Sequence, residues 1–347
     1  MIGMPLLSSL AGDAEIAALF APQAEIEALV RFEIALADAE AEAGLIERDA
    51  AAAIATALAS FRPDLAALAA GLARDGVVVP DLVRQLREAV DEPHRARVHL
   101  GATSQDAIDT ALMLRLATLI PLVEARLAGL RARLDEMSAD QGDHALMAQT
   151  RMQAALPFTV AAKLRTWASP LDGHAARLAA LREGLAIQLG GPIGDGSSFG
   201  GKAGAVRAAL ARHLGLADAE PWQSDRTRIL DVAQALALVT GTLGKLGQDL
   251  ALMAQTGIGT VTLTGSGGSS AMAHKQNPVG AEVLVALARF NAGMMGTLHQ
   301  SMIHENERSG AAWTLEWMVL PPMAEAVGAA LRHAAALLDG AVIGCPA

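Results

Sequence analysis

The chain has 347 residues, 52% of them hydrophobic and 18% charged, which is ample for a large core. A net charge of −10 argues against non-specific nucleic-acid binding, which needs a basic face, and a single Cys, Cys345, excludes an intramolecular disulfide framework and suits a reducing, cytoplasmic setting. Ala and Leu dominate, aromatics are 3% and Tyr is absent, so an all-α protein is expected. In chain order, residues 12–95 read as several short to medium helices. "EIEALVRFEIALADAEAEAGLI" places Ile26, Leu29, Val30, Phe32, Ile34 and Leu36 at helical spacing. "GVVVPDLVRQLREAV" predicts a short extended piece and then a helix with Pro80 in its first turn. From residue 105 the helices lengthen. The first runs through Pro121, a predicted kink. The second starts at Pro157 and kinks at Pro170. A Gly-rich break, "LGGPIGDGSSFGGKAG", precedes a third helix with Ser224 as its N-cap. A fourth follows Asn277-Pro278, and a last one covers residues 320–338.

The long helices predict an elongated central bundle, residues 101–347, behind an N-terminal helical domain, residues 1–100. "ILDVAQALALVTGTLGKLGQDLALMAQ" is apolar almost all round, and the mean hydropathy of +0.33 is high. Helices buried on every face predict bundles that associate as a homo-oligomer. No apolar run of membrane-spanning length free of charges or helix breakers is read, and "MIGMPLLSSLAGDAE" lacks the basic start of a signal peptide. Neither membrane nor nucleic acid is therefore an expected partner.

Several motifs carry more polar chemistry than structure requires. "GSSFGGKA", Gly196 to Ala203, approaches a phosphate-binding loop, but Ala203 stands where Ser or Thr would hold magnesium, and it reads as a plain loop. "HENER", His304 to Arg308, lacks the second His of a zinc site. It offers Arg308 as a substrate-binding cation. "HLGATSQDAIDT" enters a helix. Ser104 or Asp106 can cap it, which leaves His99, Thr103, Ser104 and Gln105 as donors for an anion at a helix N-terminus. "QTRMQAALP" sets Thr150, Arg151 and Gln153 before a long helix and also reads as a solvated turn. "TGSGGSSAMAHKQNPVGAE" joins a flexible Gly-Ser run to His274, Lys275, Asn277 and Glu282, as a lid over a site would.

The last stretch resembles the signature of the fumarase/aspartase superfamily. Gly268, Ser269, Ser270, Lys275, Asn277, Pro278 and Glu282 match it, and Ala273 replaces the family's Pro. "HLGATSQDAIDTAL" and "TRMQAALPFT" resemble its other two active-site regions, in order. Within the superfamily the chain is most similar to the carboxymuconate cycloisomerases, through "GVVVPDLVRQL" and "HENERSGAAWTLEWMVLP" with its Trp313 and Glu316-Trp317. An adenylosuccinate-type lyase, which releases fumarate, is the alternative. Against it, Arg151 and Ala154 stand where that enzyme has His.

The resemblance implies homotetramers whose active sites combine three regions from three subunits, with the family's C-terminal domain missing here. It also implies ring closure of a tricarboxylate substrate without cofactor or metal. Ser269 and Lys275 would be catalytic. His99, Thr103, Ser104, Gln105, Arg151, Gln153, Ser270, Asn277 and Arg308 would bind substrate. Gly268, Glu282 and Trp313 would shape the loop and its surroundings.

Overall fold

The computed structural model describes residues 5–264, 267–268, 272 and 275–344. Six helices come first: α1 (Ser8–Ala11), α2 (Ala14–Ala18), α3 (Pro22–Glu42), α4 (Arg48–Ala59), α5 (Leu65–Asp75) and α6 (Val79–Ala89). Their ends follow local chemistry. Asp64 accepts from the Ala66 and Ala67 amides to start α5, and Gly76, at φ 73°, ends it. Pro22 and Pro80 open α3 and α6, where a missing N–H costs nothing.

The long elements are α7 (Ser104–Gln141), α8 (Val160–Glu183), α10 (Thr227–Met253), α11 (Val279–Leu298) and α12 (Gly310–Asp339), with the shorter α9 (Ala203–Leu214) between α8 and α10. They pack as an up-and-down bundle in which α10 touches α8, α11 and α12, and α7 touches α8 and α12. The helices run on through Pro121 in α7 and Pro170 in α8. Two small antiparallel sheets complete the chain: β1 (Ala145–Thr150) with β2 (Gln153–Thr159), and β3 (Val261–Leu263) with β4 (Ala341–Ile343).

There are two cores. One fills the bundle, from Leu112 to Ile343, and takes in Ile16 of α2. The other joins α3 to α6 with the first turns of α7 and with Leu189, Phe199, Leu210 and Trp313. The start of α7 is buried on all sides, from Gln105 to Leu114, because it passes between the two.

Several sequence expectations need correction. Pro157 does not begin a helix. It lies in β2 opposite Met147, and Thr159 caps α8 by accepting from the Ala162 amide. The hairpin went unread because its turn residues, Arg151 and Met152, sit at φ 48° and 65°, a conformation normally signalled by Gly or Asn. Ser224 is not the cap of α10. The helix begins three residues later, where Asp225 accepts from the Thr227 amide and hydroxyl. The last helix starts at Gly310, with Ser309 as its N-cap, rather than near residue 320. Thr103, not Ser104, is the N-cap of α7, in a capping box with Asp106.

α10 is long and apolar enough to cross a membrane by composition when a few charges are allowed, and 61% of its apolar window is buried inside the protein. It is the central helix of the bundle. Asp231, Gln234, Lys245 and Gln248 are among its exposed residues, while Leu238, Leu252 and Met253 stay part-exposed. Among the uncovered large apolar side chains are Met147, Met152 and Leu156 on the hairpin, Ile303 before α12 and Met318 within it.

Candidate active site

The N-terminus of α7 is built around a buried carboxylate. Asp106 accepts from the amides of Thr103 (3.0 Å), Gly190 (2.8 Å) and Gly191 (2.9 Å) and from Gln188 Nε2 (3.1 Å). Burial pushes its pKa up to about 6, against the pull of those four donors. The Gly190–Gly191 loop is thereby strapped across the helix start. Thr103 and Ser104 remain partly exposed there. Gly101, at φ 71°, lies against the Phe199 ring, where a Cβ would come within 2.8 Å.

His99 sits at φ 61° and bonds Glu33 Oε1 through Nδ1 at 2.6 Å. Burial disfavours the imidazolium, but Glu33 outweighs it and raises the His99 pKa. Behind it lies Glu40, fully buried, with both carboxyl oxygens unpaired among the described residues. Burial, reinforced by Glu33 and opposed by Arg97, pushes Glu40 up to about 9. It is a neutral carboxylic acid at pH 7.

One turn further along α7 lies a charge cluster that the sequence reading missed. Arg226, 1% exposed, donates Nη1 and Nη2 to Asp109 at 2.7 and 2.9 Å. Its Nε and Nη2 reach Glu316 at 2.8 and 2.7 Å. Trp313 Nε1 donates to Asp109 at 3.3 Å, and the Trp222 ring lies 5.1 Å from the guanidinium. Burial opposes the charge on Arg226, yet the two carboxylates outweigh it and hold its pKa above the ordinary arginine value. Burial raises Glu316, and Arg226 restrains that rise. The available signal was an Asp and a Glu inside apolar runs, "AIDTALML" and "WTLEWMVL", since a buried carboxylate demands a cation.

Gln105 connects this cluster to Arg308. Its side-chain amide donates to Asp109 Oδ2 (3.1 Å) and to the Gln223 carbonyl (2.7 Å), and its Oε1 accepts from Arg308 Nε (2.8 Å). Gln105 is 0% exposed. Its amide is thereby spent on Asp109, Gln223 and Arg308 within the chain. Arg308 is half-buried and also donates to the Pro192 carbonyl at 3.2 Å. Both ring nitrogens of nearby His304 are buried without a partner among the described residues, and burial and then Arg226 lower its pKa.

The other site residues sit at the opposite end. Arg151 and Gln153 are exposed at and beside the turn of the β1–β2 hairpin. In the signature loop, Gly267 and Asn277 exchange two backbone hydrogen bonds, 2.9 and 2.7 Å, which close its neck. Lys275 and Gly268 are exposed, and Glu282 is exposed in the first turn of α11. Ser269, Ser270, Ala273 and His274 lie outside the described residues.

The two groups are far apart within one chain. α7 begins beside Arg308 and ends beside the hairpin, and 38 helical residues span about 57 Å. The signature loop belongs to the hairpin end. Thr264 is bonded to Gly340, and Ile343 is bonded to Gln141 and His144 at the end of α7. The structure thus brings His99, Thr103, Ser104, Gln105, Arg308 and Trp313 together, and leaves Arg151, Gln153, Lys275 and Asn277 at the far end.

Comparison with known proteins gives a consistent picture. Residues 17–291 match the family described as "Lyase". The chain is 39% identical to the 3-carboxy-cis,cis-muconate cycloisomerase of Pseudomonas putida, over 93% of this chain and 78% of that protein. It is 35% identical to the enzyme of that name from Acinetobacter baylyi, over 96% of this chain and 76% of that protein. Among solved structures, the 3-carboxy-cis,cis-muconate lactonizing enzyme from Pseudomonas putida superposes with a TM-score of 0.91 at 38% identity. That match covers 98% of this chain and 77% of the other. A fumarate lyase from Mesorhizobium sp. BNC1 superposes at 0.89 with 32% identity, covering 96% and 76%.

Proposed function

The chain belongs to the fumarase/aspartase lyase family, and within it we propose that it interconverts 3-carboxy-cis,cis-muconate and 4-carboxymuconolactone. The observation that carries this reading is 39% identity, across 93% of the chain, to a relative bearing that activity in its name. The chemistry suits the residues. In the ring-closing direction a substrate carboxylate oxygen bonds to one carbon of a C=C bond. The π electrons move into the neighbouring carboxylate, giving an aci-carboxylate, and a proton then reaches the carbon α to it. In reverse the α proton leaves first and the internal carboxylate departs from the β carbon, which is the elimination chemistry of the family.

Ser269 is the acid and base in this proposal. Its hydroxyl protonates the α carbon on closure and takes that proton back on opening. Lys275, Asn277 and loop amides face the extra negative charge of the intermediate. Three carboxylates call for several cations and donors. Arg151, Arg308 and the Thr103–Ser104 turn supply them, with His99, whose pKa Glu33 raises against burial, beside them. Arg151 in place of the His of adenylosuccinate-type lyases fits a reaction in which no amine is protonated as it leaves.

Because the two groups of residues lie at opposite ends of a helix of about 57 Å, a complete site needs more than one chain. We therefore propose a homotetramer with shared sites, assembled in the cytoplasm. The exposed Met147, Met152 and Leu156 would become buried where the hairpin meets a neighbouring subunit.

The test is direct. Adding purified protein to 3-carboxymuconate should remove the ultraviolet absorbance of the conjugated diene, and Ser269→Ala should abolish that loss. Fumarate release from adenylosuccinate or argininosuccinate, with muconate untouched, would replace this reading by the lyase alternative.

A further inference from the structure

We propose that Gln105 is a positioning residue that aims Arg308 at the substrate from the buried Asp109–Arg226–Glu316 cluster. This rests on the cycloisomerase reading above.

The geometry points one way. Arg308 has two protein partners among the described residues, and they differ in kind. Nη2 reaches the Pro192 carbonyl at 3.2 Å, on a loop. Nε reaches Gln105 Oε1 at 2.8 Å, on a side chain with no freedom. Gln105 is fully buried, and its amide nitrogen is held by Asp109 Oδ2 and the Gln223 carbonyl. Asp109 is fixed in turn by Arg226 and Trp313. The chain of contacts therefore runs from a rigid interior to the one hydrogen of Arg308 that lies nearest its flexible stem. Holding Nε sets the plane of the guanidinium and leaves Nη1 without a partner among the described residues, available to a carboxylate. An unheld arginine would sample many rotamers and lose that orientation on binding.

Gln105 is also replaceable without stranding its neighbours. Asp109 keeps Arg226 on both oxygens and Trp313 on one, and the Gln223 carbonyl keeps Arg226 Nη1 at 3.4 Å. The residue that loses most is Arg308. A packing residue would show the reverse.

The experiment is a double-mutant cycle of Gln105→Met and Arg308→Ala on the full-length protein. It is read both as kcat/KM on 3-carboxymuconate and as calorimetric affinity for tricarballylate, a saturated tricarboxylate. Each single variant is expected to lower kcat/KM by about 30- to 100-fold, as a misplaced or missing carboxylate clamp does. The double variant should be no worse than Arg308→Ala alone, and the affinity should show the same non-additivity. Should Gln105→Met fail to fold, Gln105→Asn serves in its place, since it keeps a polar group in the interior but, one methylene shorter, withdraws the oxygen from Arg308. Losses that multiply in both readouts overturn the proposal, as does a wild-type protein that binds no tricarballylate. A cycle that is non-additive in tricarballylate affinity, in a protein that leaves 3-carboxymuconate untouched, overturns the functional reading alone.

Discussion

The two ends of the helical bundle are built on opposite principles. At the start of α7 the candidate residues are wired into the interior. Asp106 takes four donors, Arg226 bridges two carboxylates, and Gln105 ties both α7 and the Gln223 carbonyl to Arg308. At the hairpin end, Arg151, Gln153 and Lys275 stand exposed, beside the uncovered apolar side chains of Met147, Met152 and Leu156. One end is pre-organised by its own chain. The other carries chemistry on a surface that nothing in the same chain completes. Function and stability should therefore separate: damage to the buried Asp109–Arg226–Glu316 cluster should unfold the protein, and damage at the hairpin end should leave it folded and impaired.

The largest expected effect breaks the wired end. Arg226→Met leaves Asp109 and Glu316 buried without their cation, which should cost about 3–5 kcal/mol in urea denaturation. A loss below about 1 kcal/mol would mean that the cluster is solvated, as exposed ion pairs are. Next comes its counterpart at the exposed end. Arg151→Ala should weaken substrate affinity about 10- to 100-fold, through loss of a charge-assisted pair, with the urea midpoint nearly unchanged. Unchanged turnover and affinity would remove Arg151 from the site.

Glu40 sharpens the comparison through pH. Folded Glu40 keeps its proton up to about 9, whereas the unfolded chain releases it near the ordinary value of 4.5. The native state thus binds the extra proton between those limits. Stability from this group is full below the lower limit and is lost as pH rises toward the upper one. Glu40→Gln should flatten that decline in denaturation series run from pH 5 to 9, and an unaltered slope would show that Glu40 ionises normally. The smallest effect belongs to a cap beside the hairpin. Thr159→Ala removes the acceptor for the Ala162 amide and should cost about 1 kcal/mol, visible as a small fall in Tm. A much larger loss would tie the hairpin to the core more firmly than its exposure indicates.

What was legible in the sequence divides along similar lines. The long helices showed through their 3.6-residue periodicity, and Arg308, Thr103 and Ser104 through their place in motifs next to helix ends. The β1–β2 hairpin was hidden because Arg151 and Met152 occupy a turn conformation that Gly or Asn would have announced. Pro157, readable as a helix start, added a false signal. Gln105 shows a different limit. Its motif marks the neighbourhood of a site, but only three-dimensional packing shows that its amide points inward. Arg226 carried no local mark, because its partners lie 117 and 90 residues away in the chain. α10 taught the opposite lesson. Its near-uniform apolarity suggests faces offered to other subunits, and a single bundle already buries most of them.

The central claim is that one chain cannot complete a site because its two ends are held apart. It is tested by co-expressing Arg151→Ala with Arg308→Ala, each strongly impaired alone on 3-carboxymuconate. If sites join ends from different subunits, random mixing restores both arginines in about a quarter of them, and activity returns to about that fraction of wild type. A mixture no more active than its two parents would contradict the account, because every site would then be drawing both arginines from a single chain.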